Sequence, residues 1–236
     1  PVELLSERPD CLTMHINYDQ NPFCPDELIK EAEICKSIYP DKFEWIWLGQ
    51  HREETDAQVF KGRYVVDLFS PVAGTEFFFG LDFGFNPDPT AFVRCYKGDT
   101  YNGKQGNYLF IDHEICEINL LPTQIHERVK EIPEATNFEI RADSSRNDSI
   151  AIVQQHLPWC TGAKKGAGSI ETGIEFLLSF DKIIIHQRCK AVIEEFKLYS
   201  YKVDSVTGKI LRKLEDKHNH LVDCLRYATE RLWNTN

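Results

Sequence analysis

Three aspartates stand where a carboxylate needs a chemical reason. Asp82 interrupts the apolar run EFFFGLDFGF (76–85), between Leu81 and Phe83. A lone carboxylate in a buried strand is costly unless it is paired or metal-bound. Asp143 closes the segment NFEIRAD (137–143), and Asp223 lies within HNHLVDCLRYATERLW (218–233). A mid-strand acid, a strand-end acid and a helix acid can converge at one end of a sheet. Carboxylates so placed can hold two divalent ions about 3.5–4 Å apart, one activating water and the other stabilising a leaving oxygen. Oxygen ligands of this hardness suit Mg²⁺ or Mn²⁺. Each acid alone has a plainer reading: Asp82 capping a bulge, Asp143 capping the helix that begins near Ser144, Asp223 solvated. Their spread over three elements in a workable order favours the metal centre. His220 lies three residues before Asp223, so on a helix the two share a face. It is either a ligand or proton shuttle at that site, or a helix-start histidine beside Asn219.

The elements that must position these residues follow from pattern. EFFFGLDFGF (76–85), PTAFVRCYK (89–97) and GNYLFIDHEIC (106–116) read as three strands of an antiparallel meander. Helix LPTQIHERVKEI (121–132), strand 137–143 and helix SRNDSIAIVQQHL (145–157) come next. Helix SIETGIEFLLSF (169–180), strand DKIIIH (181–186) and helix CKAVIEEFKLYSY (189–201) continue the alternation. The segment VDSVTGKILRKL (203–214) suggests a hairpin turning at Thr207-Gly208. The final helix carries Leu221, Leu225, Ala228 and Leu232 on one stripe. A meander followed by alternating helices and strands is an α/β domain with a mixed sheet. Residues 1–70 read as an appendage: a short strand at 13–18, a helix over 26–39, a strand FEWIWLGQ (43–50) and a connector, with 71–236 as the main domain.

GDTYNGKQ (98–105) has the spacing of a phosphate-binding Gly-x4-Gly-Lys loop but ends in Gln, without the hydroxyl that holds Mg²⁺. A strand rather than a helix leads out of it, so the amides and helix dipole that grip phosphate are missing. It reads as a hairpin turn. The eight cysteines include no CxxC pair and no HxxxH companion, which argues for reduced thiols over a zinc site or a disulfide framework. The sequon at Asn147 lacks any supporting secretory signal. The start at Pro1, with the one methionine at Met14, suits an excised piece or a processed start. No apolar run is long enough to span a membrane.

The net charge of −10 argues at first against a nucleic-acid partner. Its distribution reverses that. Residues 1–159 hold 14 Lys/Arg against 27 Asp/Glu, whereas residues 160–217 hold 11 against 8. The basic segment includes Lys164 and Lys165 in a glycine-rich loop (162–173) that leads into a helix, and Arg212, Lys213 and Lys217 on or just after the late hairpin. Phosphate could meet lysine side chains and free amides there, although loop lysines can also be simply solvated.

In combination, GLDFGFNPDPTAF (80–92), RADSS (141–145), AKKGAGSIETGIEFL (163–177) and HNHLVDCLRYA (218–228) resemble the large terminase subunit of tailed double-stranded DNA bacteriophages. The match is to its C-terminal nuclease domain and spans essentially all of 76–233. TMHINYDQNPFCPDELI (13–29) and GQHREETDAQVFKGRY (49–64) resemble the end of that family's ATPase domain and the linker that follows. The resemblance implies an RNase H-like fold and an endodeoxyribonuclease, with Asp82, Asp143 and Asp223 as ligands of two Mg²⁺ or Mn²⁺ ions and His220 as companion. It implies a DNA-contacting loop at Lys164 and Lys165, and a hairpin at 203–214, bearing Arg212 and Lys213, that controls DNA access. A fourth acidic ligand is not assigned, Asp112 and Glu114 being the nearest candidates. The implied partners are double-stranded DNA, the portal protein, the small terminase subunit and the chain's own ATPase domain, in the host cytoplasm and with no membrane. The ATPase activity itself is not expected of these residues. Other readings are an RNase H-like phosphotransferase of resolvase or transposase type, and a non-catalytic module that docks on the portal or small subunit.

Overall fold

The computed structural model describes residues 17–38, 43, 46–48, 56–204 and 207–233. It divides into two compact units, Pro1–Glu53 and Glu54–Asn236. In the first, a 3-10 turn at Tyr18–Gln20 precedes helix α1 (Asp26–Ile38), whose first turn carries Asp26 and Glu27, the acids that favour a helix N-terminus. Tyr18 meets Phe43 and Trp47 edge-on, at centroid distances of 6.2 and 5.1 Å. Phe43, Ile46 and Trp47 are helical, not the strand that the alternating aromatics of FEWIWLGQ suggest; most of the strand expected at 13–18 lies outside the described residues.

The second unit is built on a seven-stranded sheet in the order β1-β7-β4-β3-β2-β5-β6. Its strands are β1 (Tyr64–Asp67), β2 (Phe78–Asp82), β3 (Thr90–Tyr101), β4 (Lys104–Glu117), β5 (Ile140–Ala142), β6 (Cys160–Gly162) and β7 (Lys182–His186). Strands β2, β3 and β4 form the antiparallel meander. Strand β5 runs parallel to β2 and β6 parallel to β5, while β7 runs parallel to both β4 and β1. The mixed sheet is therefore as the pattern predicts. So is the hairpin at 98–105: Asn102 and Gly103 take φ of 48° and 74°, the double left-handed geometry of a tight two-residue turn.

The helices are α2 (Ile125–Val129), α3 (Asn147–Gln154), α4 (Ser169–Leu178), α5 (Lys190–Leu198), α6 (His220–Ala228) and α7 (Glu230–Trp233). One core buries Phe78, Val93 and Ile185 beneath α4, α5 and α6; the other buries Phe79, Leu81 and Phe92 beneath α2 and α3. The alternation along β2 assigns Phe78, Gly80 and Asp82 to the α6 face. A separate two-stranded ribbon, β8 (Tyr201–Val203) with β9 (Ile210–Leu214), supplies the expected late hairpin.

The domain boundary differs from the one expected at residue 70. Strand β1 is an edge of the main sheet, paired from Tyr64↔Ile183 to Asp67↔His186. Ahead of it, Val59 N–H donates to Tyr199 C=O at 3.0 Å and Tyr201 N–H to Ala57 C=O at 2.8 Å. Phe60, fully buried, stacks on Phe196 of α5 at 4.1 Å. Residues 56–67 are thus built into the main domain, and the boundary falls between Glu53 and Glu54. Among the described residues the cysteines are unpaired, and no helix is long and apolar enough to cross a membrane.

Candidate metal centre

The parallel pairing of β2 with β5 brings two of the three acids together. Asp82 ends β2 opposite Ala91 of β3 and is 9% exposed. Asp143 follows β5 directly, and its N–H donates to Leu81 C=O at 2.9 Å, which carries the parallel ladder one residue past the strand. Helix α6 then crosses the same face and adds Asp223. The helix lies so close to β2 that a Cβ on Gly80 would stand 1.8 Å from the Cys224 carbonyl oxygen.

Each carboxylate is engaged by a cationic or potentially cationic side chain. His220 Nδ1 lies 3.2 Å from Asp82 Oδ2, and its Nε2 lies 3.7 Å from Asp88 Oδ1. Lys165 is ion-paired with Asp143, whose oxygens also accept the Ser145 N–H at 2.9 Å and Oγ–H at 2.6 Å. Arg226 donates from Nε and Nη2 to Asp223 Oδ1 at 2.9 and 2.8 Å. Asp82, Asp143 and Asp223 line one cavity of about 400 Å³, together with Lys164, Lys165 and Arg226. Asp82 and Asp143 also border a second hollow of about 640 Å³ that includes Glu194, Glu195 and His220.

The electrostatics match this crowding. Burial pushes the Asp82 carboxyl above the usual range, helped by the neighbouring Asp143 charge and opposed by the hydrogen bond to His220. Burial likewise raises Asp223, against the pull of Arg226. For Asp143 burial is outweighed by hydrogen bonds from Lys165 and Ser145, so its carboxyl sits below the usual range. The hydrogen bond to Asp82 raises His220. Burial thus holds two carboxyls above their ordinary range beside a third that its partners keep charged, a pattern common at functional clusters. Lys165→Ala is accordingly expected to raise the Asp143 pKa in chelator-treated protein, as read by a carboxyl-carbon NMR titration.

The donor chemistry fits a hard divalent cation: three carboxylates around one cavity, one of them hydrogen-bonded to a histidine. Among the described residues, though, no group of three or more His, Cys, Asp and Glu stands in ready ligating geometry. The oxygens are turned toward Lys165, Arg226 and His220 instead.

The residues singled out in the sequence are distributed as follows. Asp82, Asp143, Asp223, His220, Lys164 and Lys165 gather at this one place. Arg212 and Lys213 lie exposed on β9 and line neither hollow. Asp112 and Glu114 stand apart from the trio. Arg94 Nε grips Asp112 at 2.9 Å, and Glu114 accepts the N–H groups of Ala191 and Val192, both at 2.8 Å, where α5 begins. Arg226 escaped the sequence reading, although its i,i+3 spacing from Asp223 is a signal that could have found it. Ser145 and Glu195 escaped it too.

A mixed sheet of this order, with a strand acid, a strand-end acid and a helix acid around one cavity, defines the RNase H-like class of domain. The profile of the family described as "Terminase RNAseH like domain" matches residues 82–231, and the chain belongs to that family. It is 34% identical over 235 residues to the large terminase subunit of Bacillus phage SPP1, covering 92% of this chain and 51% of the relative. The chain thus spans about half the length of that relative. Among solved structures, the nuclease domain of the SPP1 large terminase with bound Mn superposes with a TM-score of 0.62 at 30% identity, over 72% of this chain and 96% of that one. The large terminase of a thermophilic bacteriophage shares the fold, with a TM-score of 0.55 at 17% identity over 99% of this chain and 59% of that one.

Proposed function

We propose that this chain is the nuclease-bearing part of a phage DNA-packaging motor, an endodeoxyribonuclease that cuts concatemeric double-stranded DNA when packaging starts and ends. The observation that carries the reading is the convergence of Asp82, Asp143 and Asp223 on one cavity in a chain of the terminase family. Asp82, Asp143 and Asp223 would hold two Mg²⁺ or Mn²⁺ ions. When bound, such a pair activates a water for attack on the scissile phosphate and neutralises the charge that develops on the 3′ oxygen. The Mn found in the SPP1 nuclease domain supports this choice of cation.

The chain's own side chains do the rest. His220 orients the Asp82 carboxylate through Nδ1. Lys165, ion-paired with Asp143, turns to a DNA phosphate once that carboxylate has another cation. Lys164, beside it on the same loop, adds a second phosphate contact, and Arg212 and Lys213 on β9 contact the backbone farther along the duplex. Such contacts carry little sequence information, so cleavage is expected to be weakly sequence-specific and salt-sensitive. In the whole protein residues 1–53 would close the ATPase domain, and the motor would engage the portal and the small terminase subunit in the host cytoplasm.

A crystal soaked in Mn²⁺ tests the centre directly. Two anomalous-scattering peaks among Asp82, Asp143 and Asp223 are expected. An empty cavity at millimolar Mn²⁺, with or without an oligonucleotide, would overturn the assignment.

A further inference from the structure

Helix α6 presents His220 and Asp223 from its first turn, yet that turn is not capped by its own sequence. The N-cap Asn219 makes no side-chain cap bond, and its Nδ2 instead lies 3.4 Å from Asp223 Oδ2. The first N–H groups of a helix have no partner within it and must find acceptors elsewhere. Here the acceptor comes from another helix. Glu195 of α5, 7% exposed, accepts the Val222 N–H at 2.9 Å and the Leu221 N–H as well. The two clamped amides lie between His220 and Asp223 in sequence, so the carboxylate fixes the backbone that carries both.

The clamp is itself held from behind. Glu195 is followed by Phe196, which stacks on Phe60 at 4.1 Å and meets Tyr64 edge-on at 5.6 Å. Glu114 accepts the first amides of α5 in the same manner. A chain of contacts therefore runs from β4 and the segment before β1, through α5, to the helix turn that faces Asp82. Burying the Glu195 carboxylate has a cost, and burial pushes its pKa up to about 7 against the pull of the two backbone bonds. A side-chain cap from Asn219 would have satisfied one of these amides without that cost, but would not have tied α6 to α5.

We propose that Glu195 is a positioning residue of the metal centre: its carboxylate clamps the first turn of α6 so that His220 and Asp223 face Asp82 and Asp143. The role rests on the metal-centre reading above, and the clamp acts through Leu221 and Val222 without touching an ion. Outer groups that orient metal ligands typically govern affinity by about 10–100-fold.

The test is a Mn²⁺ titration of the 236-residue chain, read by the free-ion EPR signal, on the wild type, Glu195→Ala, Glu195→Gln and Ile125→Ala. Glu195→Ala removes the clamp and is expected to weaken Mn²⁺ binding by about tenfold or more. Glu195→Gln keeps an amide oxygen that can accept the same N–H groups, so it should restore binding to within about threefold of the wild type. Ile125, fully buried on α2 in the other core, serves as the control. Ile125→Ala lowers stability by a cavity and should leave Mn²⁺ affinity unchanged. Wild-type affinity in Glu195→Ala, a loss in Glu195→Gln equal to that in Ala, or an equal loss in Ile125→Ala would each overturn the positioning role alone. If the wild type itself binds no Mn²⁺, the metal-centre reading falls and takes the positioning role with it.

Discussion

Replacing Asp82 with Asn is expected to reduce Mn²⁺-dependent nicking of supercoiled plasmid by at least about a thousandfold, while the protein stays folded. A loss of that size corresponds to roughly 4 kcal/mol of transition-state stabilisation, as the role proposed for Asp82, holding cations at the reacting phosphate, requires. The amide is isosteric and can still meet His220 Nδ1, now 3.2 Å from Asp82 Oδ2, so packing is kept and the charge alone is lost. Stability should not fall. Burial raises the Asp82 pKa, which means that the charged form is disfavoured in the fold. The native state is then most favoured below the ordinary carboxylate pKa and loses that part of its stability as pH rises through the raised value. Asn removes this penalty, so the melting temperature at pH 7 should hold or rise slightly. Cleavage by Asp82→Asn at the wild-type rate would remove Asp82 from the centre.

The second large effect is structural. Gly80→Ala would direct a methyl group at the backbone of α6, 1.8 Å from the Cys224 carbonyl oxygen and 2.6 Å from its carbon. No rotamer relieves a clash with backbone, so either β2 or α6 must move. Overpacking of this kind costs about 1–3 kcal/mol where side chains can yield, and a backbone clash belongs at or above the top of that range. For a unit of this size the melting temperature should drop by roughly 6–12 °C. Nicking should fall with it, because the helix that moves is the one presenting Asp223. An unchanged melting temperature would overturn the role assigned to the close approach of β2 and α6 at Gly80.

Much of the site is legible in the sequence because its members are out of place there. Asp82 sits in an apolar strand and Asp143 at a strand end, and both stand where the pattern puts them. The Asn102-Gly103 turn is equally plain, since few residues other than Asn and Gly accept two successive positive φ values. What stays hidden depends on partners distant in the chain. Strand β6 is three residues long, too short to show alternation, and exists because β5 offers an open edge. The helix expected over 121–132 shrinks to 125–129; the chain beyond it turns at Pro133, whose carbonyl accepts from Arg94 Nη1 at 2.7 Å. The clamp of Glu195 on Val222 joins residues 27 positions apart, and no local pattern announces it. Strand β1 reads as a connector for the same reason, because YVVD becomes a strand only against β7.

That last pairing bears on where this gene could be cut. Strand β7 is KIIIH, with Ile183, Ile184 and Ile185 all buried, and β1 is the strand that closes its outer side. A polypeptide beginning at residue 71 would expose that isoleucine edge along a full row of unpaired amides and carbonyls. It would also uncover Phe196 and Tyr199. Such an edge is a template for pairing with a second copy, so the shortened protein should self-associate. A shuffled or transplanted nuclease therefore has to bring along the dozen or so residues that lead into it.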